Sequence, residues 1–313
     1  MVVPCHNEGT TVAAVVNGFR EVLPRARMVV VDNLSTDDTT ERARTTGADV
    51  LQVPNPGKGR AVRRAFEVVD EDVVLLVDGD ATYDPSVAPA LVHKVFCEGY
   101  DLVNVQRVTD EGEMDTATYR SGHQIGNKAL TSLQRTLTGI RLSDILTGYK
   151  AMSRRFVASF PVRSKRFQLE VEIASHAVAM DFAYAEMPAS YGARPEGSSS
   201  KLSTYRDGLS ILRAIFRLHR DLQPFVAFAA LSSVWFVATL VLVIPPIVEY
   251  FQTGKVERFP SFIAGTATFI VAMLLLTSGW LLERTRTLRR DLLQIAANNA
   301  EHMSRHAADD SRL

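Results

Sequence analysis

Two long apolar segments near the C-terminal end constrain the fold of this chain more than any other feature. The first runs from Phe225 to about Val248 and the second from Phe262 to about Leu282, and neither contains a charged residue. A helix needs about 20 apolar residues to cross the roughly 30 Å hydrocarbon core of a bilayer. We therefore expect a hairpin of two transmembrane helices at about 225–248 and 262–282, within residues 224–283. The alternative, two buried core helices, is disfavoured by the length and flanks of both segments.

Basic residues predict how this hairpin is oriented. Arginines flank it on both outer sides: Arg213, Arg217, Arg220, Arg284, Arg286, Arg289 and Arg290. Because cytoplasmic flanks carry the excess of Lys and Arg, we expect both termini in the cytoplasm, the connector outside, and the chain in the cytoplasmic (inner) membrane. Residues 284–313 are predicted to be a cytoplasmic basic helix that becomes a flexible tail after about Asn298. Pro245-Pro246 is predicted to kink or end the first span.

Composition narrows the classes of function. Lys and Arg number 35 and Asp and Glu also number 35, so net charge gives no general attraction to nucleic acid. Cys5 and Cys97 form neither a metal-binding spacing nor a disulfide scaffold. The chain opens with the strand-like segment Met1–Pro4 and shows no charged leader with a long apolar core. We therefore expect activity in the cytosol and no nucleic-acid partner.

Residues 1–200 show the pattern of an open α/β sheet. Short apolar runs bounded by polar residues are typical of strands: Val29–Asp32, Val50–Val53, Val73–Asp78 and Asp101–Val105. Helical patterns lie between them at Thr11–Leu23, Asp37–Thr46 and Arg60–Val69. This alternation predicts a mostly parallel, Rossmann-like sheet, whose ligands bind beyond the carboxyl ends of the strands. Asp32 and Asp78 stand at such ends, so we expect the active site there.

Residues 201–223 are basic and amphipathic. The basic residues of this stretch recur along it: Lys201, Arg206, Arg213, Arg217 and Arg220. Leu212, Ile215 and Phe216 share roughly one helical face. An ordinary surface helix is the alternative, but the residues that follow enter the first apolar segment. We therefore expect an interfacial helix that lies on the membrane surface.

Asp78-Gly79-Asp80 directly follows the apolar run Val73–Val77. Two carboxylates at positions i and i+2 on a turn can reach one divalent cation, and Mg²⁺ or Mn²⁺ prefers such oxygen ligands. A cation there would neutralise the charge that builds on a leaving diphosphate. The alternative is a pair that only caps a turn. The position after a buried strand favours a metal site at Asp78 and Asp80.

Two further segments follow strands and precede helices. Asp32 begins the run Asp32–Thr39, and its carboxylate is positioned to bond a nucleobase or ribose, although the run also has helix-capping residues. Lys58 lies in Pro56-Gly57-Lys58-Gly59, where a helix N-terminus and the lysine can face a phosphate. This loop lacks the GxxxxGK[ST] pattern of a P-loop. A plain turn is an equal alternative for it.

Five motifs occur in one order along the chain. They are Val3-Pro4-Cys5-His6-Asn7-Glu8, Asp32–Thr39, Gly57-Lys58-Gly59, Asp78-Gly79-Asp80 and Gly148-Tyr149-Lys150-Ala151-Met152-Ser153. As a set they resemble the family-2 glycosyltransferases of GT-A fold, and in particular the polyprenyl-phosphate branch that includes dolichol-phosphate mannose synthase. The resemblance covers residues 1–220, and the two-helix anchor is similar to that of bacterial members.

The resemblance implies an activity: inverting transfer of a hexose from a UDP- or GDP-sugar to a polyprenyl monophosphate, for later use in the cell envelope. The implied cofactor is Mg²⁺ or Mn²⁺, the implied surroundings are membrane lipid, and a homo-oligomer is left open. The residues implied to bind the nucleotide-sugar are Pro4, Asn7, Glu8, Asp32, Lys58, Asp78 and Asp80.

Three more residues are implied to be catalytic, together with Asp78 and Asp80. Asp144 would orient the sugar or the acceptor, Arg120 would face the acceptor phosphate, and Lys201 would close over the phosphate groups. Other positions depart from the family pattern: Thr82 stands where relatives often have a Gln metal ligand, Asn33 where they have Asp, and His6 where they have Tyr. These departures favour a UDP-linked hexose over GDP-mannose.

Competing functions make different demands on the sequence. A processive polysaccharide synthase needs a QxxRW motif, but Trp235 and Trp280 are preceded by Val and Gly, so that function is excluded. A non-catalytic membrane scaffold that keeps the GT-A fold would tolerate loss of Asp78 or Asp80, and both are present. A glycosyltransferase that acts on another lipid acceptor is a further alternative.

Overall fold

The computed structural model describes residues 1–108, 141–162, 169–192, 224–256 and 258–310. Arg120, Lys201 and the predicted interfacial helix at 201–223 lie outside these residues. The described residues form two compact units. One comprises those up to residue 192 together with 293–310, and the other comprises residues 224–292.

The first unit contains a seven-stranded sheet. Its strands are β1 (Val2–Cys5), β2 (Val29–Asp32), β3 (Asp49–Gln52), β4 (Val73–Leu76), β5 (Leu102–Val108), β6 (Lys150–Ser153) and β7 (Tyr184–Ser190). Their order across the sheet is β3-β2-β1-β4-β6-β5-β7. Among these strands β6 alone runs antiparallel to its neighbours, β4 and β5. The prediction of a mostly parallel sheet is therefore confirmed, and the four predicted strands begin within one residue of their expected positions.

Six helices of the first unit connect these strands within the described ranges. They are α1 (Val12–Val22), α2 (Thr39–Thr45), α3 (Lys58–Phe66), α4 (Ala88–Phe96), α5 (Arg154–Ser159) and α6 (Leu169–Ala179). Helix α1 shows why they form: Val12, Val15, Val16 and Phe19 recur at helical spacing and are all buried. Helix α5 begins where Ser153 Oγ accepts a hydrogen bond from the Phe156 amide at 3.2 Å, a capping interaction.

The helices cover both faces of the sheet. Because alternate strand residues face opposite sides, Val30 joins one core with α1 and α4, whereas Val29 and Val31 join the other with α3, α5 and α6. Each fully buried valine contributes about 1.5–3 kcal/mol to folding. Apolar layers on both sides thus hold the short strands in place, which leaves the strand ends available for polar chemistry.

The strand order places a topological switch point between β1 and β4. From β1 the chain moves outward to β2 and β3 on one side, and then returns to β4 on the other side. The carboxyl ends of β1, β2, β4 and β5 and the amino end of the antiparallel β6 meet at one edge of the sheet. Ligands of open α/β sheets bind at such a point.

The second unit is a helical hairpin of α7 (Pro224–Thr253) and the first part of α8 (Phe259–Asp310). Both helices are long and apolar enough to cross a membrane, and they contain the two predicted spans. They pack antiparallel: Ser232 Oγ donates to the Ala272 carbonyl at 2.8 Å, and the Thr239 and Thr268 hydroxyls lie 3.0 Å apart. Gly265 allows close approach, because a Cβ there would lie 2.3 Å from Val243 Cγ2.

Both helices extend beyond the predicted bounds. Helix α7 does not end at Pro245-Pro246 but continues to Thr253, so the predicted end of the helix there is wrong and the predicted kink stays a prediction. Helix α8 continues to Asp310, and the flexible tail expected after about Asn298 stays a prediction. Leu293 and Ala297, one helical turn apart, pack with the second core of the α/β unit and stabilise this extension.

Candidate active site

The acidic turn after β4 lies at the switch point. Asp80 is 4% exposed, and its Oδ1 accepts a hydrogen bond from the Thr82 hydroxyl at 2.6 Å. Thr82 therefore orients Asp80. Thr11 Oγ1 donates to the Gly79 carbonyl at 2.6 Å and ties the turn to the segment that follows β1. These contacts hold both carboxylates of the turn at the carboxyl edge of the sheet.

Asp78 packs directly against Gly148. A Cβ at position 148 would lie 2.0 Å from Asp78 Oδ2, so any larger side chain there would force the Asp78 carboxylate to move. The Gly148 amide donates to the Tyr83 hydroxyl at 2.7 Å, which fixes the backbone behind the carboxylate. The Gly148–Ser153 motif thus meets the acidic turn because β6 enters the sheet at the edge where β4 leaves it.

Lys58 bridges two carboxylates from distant parts of the chain. Its Nζ lies 2.5 Å from Asp78 Oδ1 and 2.6 Å from Glu170 Oε1 on α6. Burial alone would lower the pKa of Lys58, but the two carboxylates outweigh this effect and raise it. Lys58 is therefore cationic at neutral pH and neutralises part of the charge of Asp78.

Asn33 positions the loop that carries Lys58. Its amide nitrogen donates to the Asn55 carbonyl at 2.6 Å and, more weakly, to the Val53 carbonyl at 3.4 Å. Its amide oxygen accepts a hydrogen bond from the Gly57 backbone. A carboxylate could not donate to these carbonyls. The departure from Asp at this position thus gives the loop a specific support.

The segments after β1 and β2 are joined to each other. Asn7 Oδ1 accepts from the Thr36 amide at 2.7 Å, and the Glu8 amide donates to Thr39 Oγ1 at 2.9 Å. Asp32, 5% exposed, accepts from the Ser35 amide at 3.1 Å and from the Thr40 hydroxyl at 2.9 Å. Asp32 therefore caps this turn as well as lying at the strand end. Pro4 lies within β1, level with Val31 of β2.

Backbone strain is concentrated at this edge. Asn7, Leu34 and Ala81 have φ of 53°, 60° and 58°, in the left-handed region that non-glycine residues rarely adopt. They follow β1, β2 and β4, respectively. Such strain persists where the surrounding contacts enforce it, and it is common at ligand-binding sites.

Asp144 and Arg107 form an ion pair on the β5 side of the edge. Arg107 Nε lies 2.6 Å from Asp144 Oδ2, and Nη2 lies 2.8 Å from Oδ1. Asp144 is fully buried, and its backbone amide donates a hydrogen bond to Glu186 Oε1 at 3.0 Å. Arg107 also lies over the Tyr191 ring, 5.3 Å from its centre. Asp144 is thus committed to holding the Arg107 guanidinium.

Lys150 is a second buried cation at this edge. Its Nζ donates to Asn104 Oδ1 and to the Ile145 carbonyl. Burial lowers the pKa of Lys150 to about 8, although the nearby carboxylates of Glu170 and Asp144 oppose the shift. Lys150 therefore remains mostly cationic at pH 7.

The donor set at this edge fits a hard divalent cation. Four carboxylates interact with three cations among the described residues: Asp78, Asp144, Glu170 and Glu186 with Lys58, Arg107 and Lys150. Asp80, on the same turn as Asp78, adds a fifth carboxylate. The excess of negative charge favours a bound cation. No third acidic, histidine or cysteine side chain completes a ligand group with Asp78 and Asp80 in the described ranges. That arrangement suits Mg²⁺ or Mn²⁺, which bind few carboxylates and take phosphate oxygens and water as further ligands.

Sequence reasoning found some of these residues and missed others. The structure brings Pro4, Asn7, Glu8, Asp32, Lys58, Asp78, Asp80 and Asp144 to one edge of the sheet. Arg107 was missed, although it follows the apolar part of a predicted strand as Asp32 and Asp78 do. Glu170 lies 112 residues from Lys58, and no local pattern marks it.

Comparisons with known proteins identify the family and the fold. Residues 1–160 match the profile described as glycosyl transferase family 2. The chain is 34% identical over 239 residues to "Glycosyltransferase AglJ" of Haloferax volcanii, covering 75% of this chain and 76% of the relative. It is 28% identical to a "Dolichyl-phosphate hexose transferase" of the same organism, covering 70% of this chain and 92% of that protein.

Solved structures share the fold of the first unit. Glucosyl-3-phosphoglycerate synthase from Mycobacterium tuberculosis, in complex with Mn²⁺, UDP and glucosyl-3-phosphoglycerate, matches with a TM-score of 0.53 and 25% identity. The match covers 69% of this chain and 78% of that structure. The chain therefore belongs to glycosyl transferase family 2, and its α/β unit has the GT-A fold.

Proposed function

We propose that this family-2 glycosyltransferase moves a hexose from a UDP-hexose to the phosphate of a polyprenyl carrier at the membrane surface. One observation carries the proposal. The acidic turn Asp78–Asp80 and Lys58 lie at the switch point of a GT-A sheet, in a chain that also has two apolar helices of membrane-spanning length.

The donor proposal rests on the charge and position of the site. Lys58 and the proposed cation ligands lie together, where a diphosphate would meet the positive charge of both the ammonium and the cation. The neighbouring structure from Mycobacterium tuberculosis contains UDP and Mn²⁺, which supports a uridine nucleotide here. Asp32, Asn7 and Glu8 are proposed to line the nucleoside side of the crevice, next to β1 and β2.

The acceptor proposal rests on the helical hairpin and on one relative. Helices α7 and α8 expose apolar side chains along most of their membrane-length segments, as lipid contact requires. The Haloferax volcanii relative named as a dolichyl-phosphate hexose transferase has a lipid phosphate in its name. We infer that the acceptor is likewise a polyprenyl phosphate, presented at headgroup depth, with the α/β unit and both termini on the cytoplasmic side.

Asp78 and Asp80 are the residues proposed to hold Mg²⁺ or Mn²⁺. When bound, the cation supplies Lewis-acid stabilisation of the leaving diphosphate. Thr82 keeps Asp80 in place through the hydrogen bond between its hydroxyl and the carboxylate. Lys58 adds a second positive charge on the same side of the crevice.

The transfer itself needs no dedicated general base. A phosphate monoester has a second pKa near 6 and is largely a dianion at neutral pH. Its oxygen attacks the anomeric carbon, the bond from that carbon to the diphosphate breaks, and UDP leaves with the electron pair, which inverts the anomeric configuration. The protein aligns two anionic groups and offsets their repulsion.

Arg107 is proposed to face the acceptor side of this reaction. Two guanidinium nitrogens of Arg107 donate to the Asp144 carboxylate. Asp144 therefore holds Arg107 in place and acts through it. Arg120 and Lys201 remain predicted phosphate-binding residues, in parts of the chain outside those described. The interfacial helix predicted at 201–223 remains the element expected to set the height of the site at the membrane.

The proposal is tested with the full-length protein in detergent and a panel of labelled nucleotide-sugars. Each donor is incubated with a short-chain polyprenyl phosphate and Mn²⁺, and lipid-linked label is measured. We expect transfer from a UDP-hexose, and its loss with a chelator or in Asp80→Asn. Transfer to a soluble phosphorylated acceptor such as phosphoglycerate, with none to the lipid, would overturn the acceptor assignment.

A further inference from the structure

Glu170 presents a buried oxygen that its neighbours leave unsatisfied. Its side chain is 4% exposed and its Oε1 pairs with Lys58, but its Oε2 has no hydrogen-bond partner among the described residues. An unsatisfied buried acceptor is destabilising and uncommon in folded proteins. A second arrangement in which Glu170 Oε2 gains a hydrogen-bond donor would remove this cost.

Lys58 supplies the donor for that arrangement. Its ammonium carries three N–H groups, and its Nζ lies 2.5 Å from Asp78 Oδ1 and 2.6 Å from Glu170 Oε1. A divalent cation bound to Asp78 would place a second positive charge close to the same ammonium. Like charges at such a distance repel strongly in a buried site. Lys58 and the cation therefore compete for Asp78.

We propose that Lys58 and the divalent cation exchange at Asp78, and that Glu170 is the positioning residue that accepts Lys58 when the cation binds. In the exchanged state Lys58 leaves Asp78 and donates to both oxygens of Glu170, which satisfies Oε2. Before exchange, Lys58 neutralises Asp78. The proposal deepens the proposed function and rests on its metal site at Asp78 and Asp80.

The exchange predicts a result that a purely electrostatic effect of the Glu170 charge on the cation does not. If Glu170 acts only by receiving Lys58, its charge matters only while Lys58 is present. If Glu170 merely adds negative potential, it strengthens cation binding equally with or without Lys58. A double-mutant cycle on these two residues separates the two cases.

The experiment measures Mn²⁺ binding to the full-length protein in detergent by electron paramagnetic resonance, without donor or acceptor. We expect Lys58→Met to bind Mn²⁺ about tenfold more tightly than wild type, and Glu170→Gln about tenfold more weakly. The double variant should match Lys58→Met. Glu98→Gln, which removes a carboxylate from an exposed pair with Lys94, is the matched control and should leave the affinity unchanged.

Two outcomes would overturn the exchange. They are a Lys58→Met protein that binds Mn²⁺ no more tightly than wild type, or a Glu170→Gln change that weakens binding equally in both backgrounds. If Glu170→Gln alone does not fold, as melting curves without Mn²⁺ would show, the comparison of Lys58→Met with the double variant still decides. If the double-mutant cycle on Mn²⁺ binding gives the expected result but no sugar is transferred to the lipid, only the proposed acceptor is refuted.

Discussion

A single methyl group at position 148 is expected to disable the acidic turn. A Cβ on Gly148 would lie 2.0 Å from Asp78 Oδ2, whereas ordinary van der Waals contact begins at 3.4 Å. The difference requires the carboxylate to retreat by about 1.4 Å. The backbone of Gly148 is held by Tyr83 at 2.7 Å and adjoins the fully buried Tyr149, so Asp78 is the group that moves.

The size of the expected effect follows from this displacement. Misplacement of catalytic groups by about 1 Å can lower a rate about 100-fold, or roughly 2.7 kcal/mol of transition-state stabilisation. Gly148→Ala also moves Asp78 away from Lys58, but Lys58 keeps its ion pair with Glu170 and is not left without a countercharge. We therefore expect a large loss of transfer from a protein that still folds.

The assay compares kcat/KM for sugar transfer with the melting temperature of the same preparation. Gly192→Ala is the matched control, because among the described residues the nearest atom to a Cβ there is the Thr82 carbonyl oxygen, at 3.8 Å. We expect Gly192→Ala to retain activity and Gly148→Ala to lose about 100-fold. A Gly148→Ala protein within about threefold of wild type would refute the argument that this contact sets the position of Asp78.

Three further predictions concern other parts of the molecule. Asn33→Asp places a carboxylate against backbone carbonyl oxygens, so we expect KM for the donor to rise about tenfold, and an unchanged KM would contradict the positioning of the Lys58 loop. Burial lowers the pKa of His176 to about 4 from 6.5, so the unfolded chain binds a proton that the folded chain does not. Stability should therefore fall as pH drops through this interval, by up to about 3 kcal/mol, and melting curves of His176→Leu should lack that slope. In intact cells an impermeant thiol reagent should label Lys255→Cys but not the exposed Cys97, and the reverse pattern would contradict the orientation.

The parallel half of the sheet was predictable because its strands are local signals. Val29–Asp32 and Val73–Asp78 are continuous apolar runs that end in a polar residue, as expected for strands buried on both faces. Such runs also mark where ligands bind, so Asp32 and Asp78 were found from sequence. The two membrane-length helices followed from length and composition in the same way.

The rest of the site depends on contacts that no local pattern encodes. Strand β6 has four residues and begins with the buried Lys150, so it carries no apolar alternation. Its antiparallel pairing with β4 brings Gly148 to Asp78, and α6 brings Glu170 to Lys58. These pairings arise from the order of strands in the sheet, and a periodicity argument cannot derive them.

The measurement that tests the central claim most directly identifies both products of one reaction. The purified protein is incubated with a UDP-hexose and a polyprenyl phosphate, and the lipid and nucleotide products are analysed by phosphorus NMR and mass spectrometry. Attack by the acceptor phosphate on the anomeric carbon predicts a lipid phosphodiester of inverted anomeric configuration and one equivalent of UDP. A lipid diphosphate with UMP, or free hexose with UDP and unchanged lipid, would contradict it.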